Sequence, residues 1–114
     1  MSTLICIETE ESIYDLLESI RGRPGLWISQ PELVRVDAFL SGYQAALGRR
    51  HLALRRVKPD FQGFHDWVAR RLGYAQSTPG WYNLIRGRCG SEREAFDKFY
   101  ELLAEFKNSG GKKA

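Results

Sequence analysis

"IRGRPGLWISQPELVRVDAFLSGY" (residues 20–43) decides the fold, because it closes one helical pattern and opens another within a single short connection. Upstream, Ile13, Leu16, Leu17 and Ile20 fall at i, i+3, i+4 and i+7 and make one apolar stripe. Thr9 is the expected N-cap of that helix, and the acids behind it suit the positive end of the helix dipole. Gly22 reads as the residue just past the helix end, and Pro24 prevents continuation. Downstream, Ser29 and Glu32 have capping-box spacing, with Pro31 in the first turn where its missing N–H costs little. Leu33, Val36, Leu40, Tyr43 and Leu47 form the next stripe, widened by Phe39 and Ala46, and Gly48 is the expected stop. At 1.5 Å per residue this helix is on the order of 25 Å long, enough to span a small domain. Gly22, Pro24 and Gly25 make the corner between the two helices, and Trp27 is placed to plug it.

The same grammar continues outward. "RRHLALRRVK" (residues 49–58) is the most basic segment, and Pro59 closes it. Asp60 then caps a helix carrying Phe61, Phe64, Val68 and Leu72 inward, with Trp67 beside the stripe and Gly73 after it. Ser77 or Thr78, followed by Pro79, restarts the chain for a short helix with Trp81, Leu84 and Ile85. Ser91 and Glu94 form a second capping box, opening a last helix with Phe96, Phe99, Leu102, Leu103 and Phe106 on one face. Helical periodicity thus recurs five times. Only "LICIE" (residues 4–8) has strand character, and a lone strand lacks a partner. The expectation is an all-α, compact single domain of about five helices over residues 1–108, with a short extended N-terminal segment and a flexible tail at 109–114.

A chain of 114 residues is one domain that buries roughly two-thirds of the surface its unfolded form exposes. No apolar run is long enough to cross a bilayer, so no membrane association is expected. The N-terminus lacks a basic start and a small-residue cleavage site, which points to the cytoplasm. In that reducing compartment Cys6 and Cys89 are expected to be buried small hydrophobes. The net charge of +3 conceals a separation of sign. Residues 1–20 carry five acids and no base, whereas residues 21–88 carry twelve bases against four acids. Glu92, Glu94 and Asp97 then add negative charge to the last helix.

No pattern of reactive residues stands out. Neither His51 nor His65 has a Glu, His or Cys three or four positions away, so neither begins a metal site. His65 is the sole candidate base, with no marked nucleophile to serve. "RGRCGS" (residues 86–91) sets backbone N–H groups and two arginines before a capped helix; that could hold an anion, but capped, glycine-broken turns are common and an ordinary helix–helix connection is the expectation. No cofactor and no enzymatic activity are expected. Nucleic acid is the alternative partner: Arg49, Arg50, Arg55, Arg56, Lys58, Arg70 and Arg71 could follow phosphates, although no helix displays base-reading side chains. The tryptophans and tyrosines at loop–helix junctions point instead to protein binding, where Trp, Tyr and Arg are enriched among energetic anchors. Arg23, Trp27, Asp66, Trp81, Tyr82, Glu92 and Glu94 are the candidate contact residues.

The succession "IRGRPGLW…ELVRVDAFLSGYQAAL…FQGFHDWVARRLGY…STPGWYNLI…AFDKFYELLAEF" resembles small immunity proteins encoded beside polymorphic bacterial toxins, including contact-dependent inhibition systems. It covers most of Ile20 to Phe106, through Arg23-Pro24-Gly25, Phe39 with Gly42-Tyr43, Phe64 to Trp67, Gly80-Trp81 and Phe99. Leu26-Trp27 stands where that family has Met-Tyr. The resemblance implies a protein that binds a cognate toxin domain and blocks its active site, and it brings no catalytic residues. An acidic patch would match a nuclease toxin with a basic cleft; the central basic segment suits a different toxin.

Overall fold

The computed structural model describes residues 6–75 and 80–112. Along the chain these form strand β1 (Ile7–Ser12), helices α1 (Ile13–Gly22), α2 (Pro24–Trp27) and α3 (Leu33–Arg49), and strand β2 (Leu52–Arg55). A 3₁₀ turn (Phe61–Gly63) then leads into α4 (Phe64–Arg71), followed by α5 (Trp81–Arg86) and α6 (Glu92–Asn108). The five expected helices are present, joined by the short α2 at the corner.

The chain is mostly helical but not all-α. The extended segment expected over residues 4–8, of which 4 and 5 lie outside the described residues, is observed as a strand over Ile7–Ser12. It finds the partner it was expected to lack: β1 pairs in parallel with β2, Ile7 opposite Leu52, Glu8 opposite Ala53 and Ser12 opposite Arg55, with a bulge between. Parallel strands need a long crossover, and α1, α2 and α3 supply it. The basic segment 49–58 hid a strand because Leu52 and Leu54 alternate with Ala53 and Arg55 over only four residues.

β1 also shifts the first cap. Thr9 lies inside the strand, and Ser12 caps α1 through a reciprocal box: the Asp15 N–H donates to Ser12 Oγ at 3.2 Å, and the Ser12 N–H to Asp15 Oδ2 at 3.0 Å. Two expected stops fall inside helices instead. Gly22 ends α1 as a helical residue with Arg23 as C-cap, and α3 runs past Gly48 to Arg49. His51, at φ 57, takes the left-handed turn that ends α3, a conformation histidine adopts more readily than most residues. Gly73, at φ 76, ends α4 as expected. The Ser77, Thr78 and Pro79 cap lies outside the described residues.

Aromatic burial organises the core. α6 buries seven residues along one face, including Phe96, Phe99 and Phe106. Phe64 of α4 meets Phe99 and Phe106 edge-on at 5.6 and 5.3 Å between ring centroids. Trp81 stacks on Phe99 at 4.9 Å, and Phe61 stacks on Phe64 at 5.2 Å. Such pairs add about 0.5–1.5 kcal/mol each beyond the area they bury. α1 joins this core through Leu16, Leu17 and Ile20, all fully buried, and the Tyr100 hydroxyl donates to the Leu17 carbonyl at 2.6 Å. At the other end of α6 the chain turns back through Gly110 and Gly111, whose N–H groups donate to Lys107 and Phe106 carbonyls. Gly111, at φ 81, passes so close to Pro59 that an added Cβ would lie 3.0 Å from its ring.

Candidate functional site: the corner and the Glu92 cluster

Two places collect the candidate contact residues. The first is the corner. The Arg23 N–H donates to the Ser19 carbonyl and its own carbonyl accepts from Leu26, so α2 turns sharply off α1. The four residues of α2 bury nothing completely. Trp27 packs edge-on against Phe39 of α3 at 6.0 Å, and Phe39 leans on Tyr43. This plugs the corner from inside and leaves Leu26 69% exposed at its tip, with Val34 exposed at the start of α3. Leu26, Trp27, Arg35 and Phe39 border an open concavity of about 530 Å³. Arg35 is tethered to Glu32, the residue just ahead of α3. Arg23 is exposed.

The second is a polar cluster centred on Glu92, at the first turn of α6. Its Oε2 accepts from the Tyr82 hydroxyl at 2.5 Å and from Arg86 Nε at 3.0 Å. Its Oε1 accepts from the Val34 N–H at 2.9 Å. That last bond changes the picture of the α3 N-terminus. The expected Ser29–Glu32 box does not form: Ser29 adopts φ 73, Glu32 is the N-cap without a side-chain bond, and the orphan amide is served from α6. Burial works to raise the Glu92 carboxyl. Hydrogen bonds from Tyr82, the Val34 amide and Arg86 outweigh it and hold the group below the usual carboxylate range. Tyr82 is pushed up to about 12, first by burial and then by its bond to Glu92.

The remaining candidates take separate places. Trp81 is half-buried in the aromatic core. Glu94 accepts from the Gly90 N–H at 2.8 Å while its own N–H donates to Ser91 Oγ, so the second capping box closes one residue further back than expected. Asp66 is exposed in the first turn of α4, and His65 beside it is half-buried. Cys6 is exposed rather than buried, because it lies just ahead of β1, whose first residues are themselves on the surface. Cys89 is half-buried against the core, and burial, helped by Glu94, raises its thiol. Among the described residues no three potential metal ligands come together, and no helix is long and apolar enough to cross a membrane.

Sequence reasoning missed Leu26, Val34 and Arg35. Periodicity places a residue on a face, but the exposure of Leu26 depends on how α2 swings off α1, and no local signal encodes that swing.

The chain's separated charges meet in space. The Arg56 N–H donates to Glu8 Oε1 at 2.6 Å, Arg55 Nε donates to the Glu10 carbonyl at 2.9 Å, and Arg55 approaches Asp15 at 3.6 Å. The acidic N-terminal strand is therefore laid against the basic one. Comparison with protein-family models, curated proteins and solved structures found no significant match. The likeness to immunity proteins rests on the motif succession alone.

Proposed function

We propose that this protein is an immunity protein, which binds a cognate bacterial toxin domain in the cytoplasm and blocks its active site. The observation that carries this is the corner: an exposed Leu26 set beside Trp27, Phe39 and Arg35, on a turn braced by the aromatic core. Exposed apolar side chains grouped with an aromatic and an arginine are the composition of an energetic anchor in a protein interface. Bracing from behind lowers the ordering cost of binding. The alternative, nucleic-acid binding through residues 49–71, is weakened by the acidic strand that already pairs with part of that segment.

The test is co-expression with the toxin encoded by a neighbouring gene. The native protein should protect the cell, and Leu26→Glu should remove protection while leaving the thermal melt in place, because the side chain projects into solvent. Failure of the native protein to protect, or protection unchanged in the Leu26→Glu variant, would dismiss the corner as the contact.

A further inference from the structure

A second concavity, of about 680 Å³, shares no residue with the corner and has a different chemistry. Its apolar part is Ile13, Leu54, Val57 and Phe61, of which the last three are only partly buried and pack on the core from outside. Its polar part is formed by Arg55, Arg56 and Lys58, with the amides of Gln44 and Gln62. Arg55 is committed to Glu10 and Asp15. The side chains of Arg56 and Lys58 are exposed and, among the described residues, have no acceptor. The one carboxylate in the wall, Asp60, accepts from the Gln62 N–H and caps the 3₁₀ turn. An apolar floor beside two unpaired cations is therefore offered to solvent.

We propose that this groove binds an acidic, amphipathic segment of another protein. An aliphatic or aromatic side chain would rest on Leu54, Val57 and Phe61, and flanking carboxylates would pair with Arg56 and Lys58. The size suits a short segment, since pockets for small ligands run roughly 300–1,000 Å³. Charge complementarity selects the acidic partner and sets its register. Two features favour a peptide over a nucleic acid. The Glu8 and Asp15 carboxylates lie against this segment and break the run of positive charge that a continuous phosphate backbone would need, whereas a peptide with spaced carboxylates needs only Arg56 and Lys58. Among the described residues the only ring in the wall, Phe61, already stacks on Phe64 and meets Tyr14 and Trp81 edge-on, which leaves it poorly placed to receive a base.

The experiment uses the full chain and three fluorescein-labelled probes read by anisotropy at low salt: a short peptide alternating Glu with Leu, its Glu–Ser counterpart, and an oligothymidylate. The Glu–Leu peptide should bind, and Arg56→Glu combined with Lys58→Glu should weaken it by about tenfold or more. Methyl resonances of Leu54 and Val57 should shift on titration, which locates the site independently of the variant. Absence of Glu–Leu binding, equal binding of the Glu–Ser peptide, or binding undiminished in the double variant would overturn the proposal. So would an oligothymidylate that binds more tightly than the peptide. None of these outcomes depends on whether the corner takes a toxin.

Discussion

The α4–α6 core and the stretch from Ser41 to Gly63 are held together by different forces. α6 alone buries seven residues, whereas no residue between 41 and 63 is fully buried. The core is a set of interlocking rings. The outlying stretch, which includes the end of α3, β2 and the connector after it, is fastened by β-pairing to β1 and by ion pairs and side-chain bonds to backbone. Two-stranded sheets are marginal by themselves, and exposed ion pairs contribute little. Apolar burial thus sets the global stability, while the strand pair should open locally at lower cost. Both concavities border partly buried surface, where side chains are free to meet a partner.

The largest effect should come from breaking the ring set. Phe99→Ala removes a fully buried ring touching Phe64, Trp81 and Tyr100, and should cost about 3–5 kcal/mol in urea unfolding. A loss under about 1 kcal/mol would show that the core relaxes around the gap. Next, Glu92→Ala removes the acceptor for Tyr82, Arg86 and the Val34 amide together, and should cost about 1–3 kcal/mol. Loss of hydrogen-exchange protection at Val34 would separate capping from general destabilisation.

The pH dependence follows from the same groups. Glu92 and Asp15 are both held below their ordinary values, Asp15 first by the Ser12 N–H and then by its hydroxyl. A carboxyl lowered by folding contributes its stability above the unfolded value, near pH 4, and loses it as pH falls through the folded value. Thermal melts should therefore weaken from about pH 5 downward. Asp37, raised by burial, works in the opposite direction. At the alkaline end Tyr14, raised to about 12 by burial and then by Asp60, holds its proton more tightly when folded, as does Tyr82. Their contribution is present below about pH 10 and lost as pH climbs toward 12. A melt independent of pH from 3 to 7 would contradict this assignment of the carboxylates.

Smaller effects sharpen the contrast. Arg55→Ala loses the bond to the Glu10 carbonyl and an exposed pair with Asp15. It should speed amide exchange in β1 and β2 while leaving the global unfolding free energy within about 1 kcal/mol. Equal acceleration across α6 would mean that strands and core unfold as one. Least of all, Leu26→Ser should change stability by about 0.5 kcal/mol or less, since the side chain is 69% exposed.

Much of the scaffold was legible from local rules. Stripes such as Phe96–Phe99–Leu102–Leu103–Phe106 need only the 3.6-residue repeat, and Asp60 and Ser91 cap where short polar side chains serve their own neighbouring amides. Elsewhere the local signal pointed the wrong way. Ser29–Glu32 has the spacing of a capping box, yet α3 takes its acceptor from Glu92, distant in sequence. Thr9 was displaced by Ser12 because the strand continues through it.

By itself the sequence determined the helices, their apolar faces and the corner between α1 and α3, because each depends on residues a few positions apart. Tertiary structure alone decided that the acidic N-terminal strand lies along the basic one, that Glu92 serves the amide of another helix, and that Leu26 stands in solvent. Those outcomes depend on which segments meet after the chain has turned several times. Spacing along the chain carries no record of that meeting, because pairing between distant segments follows from how the whole core packs.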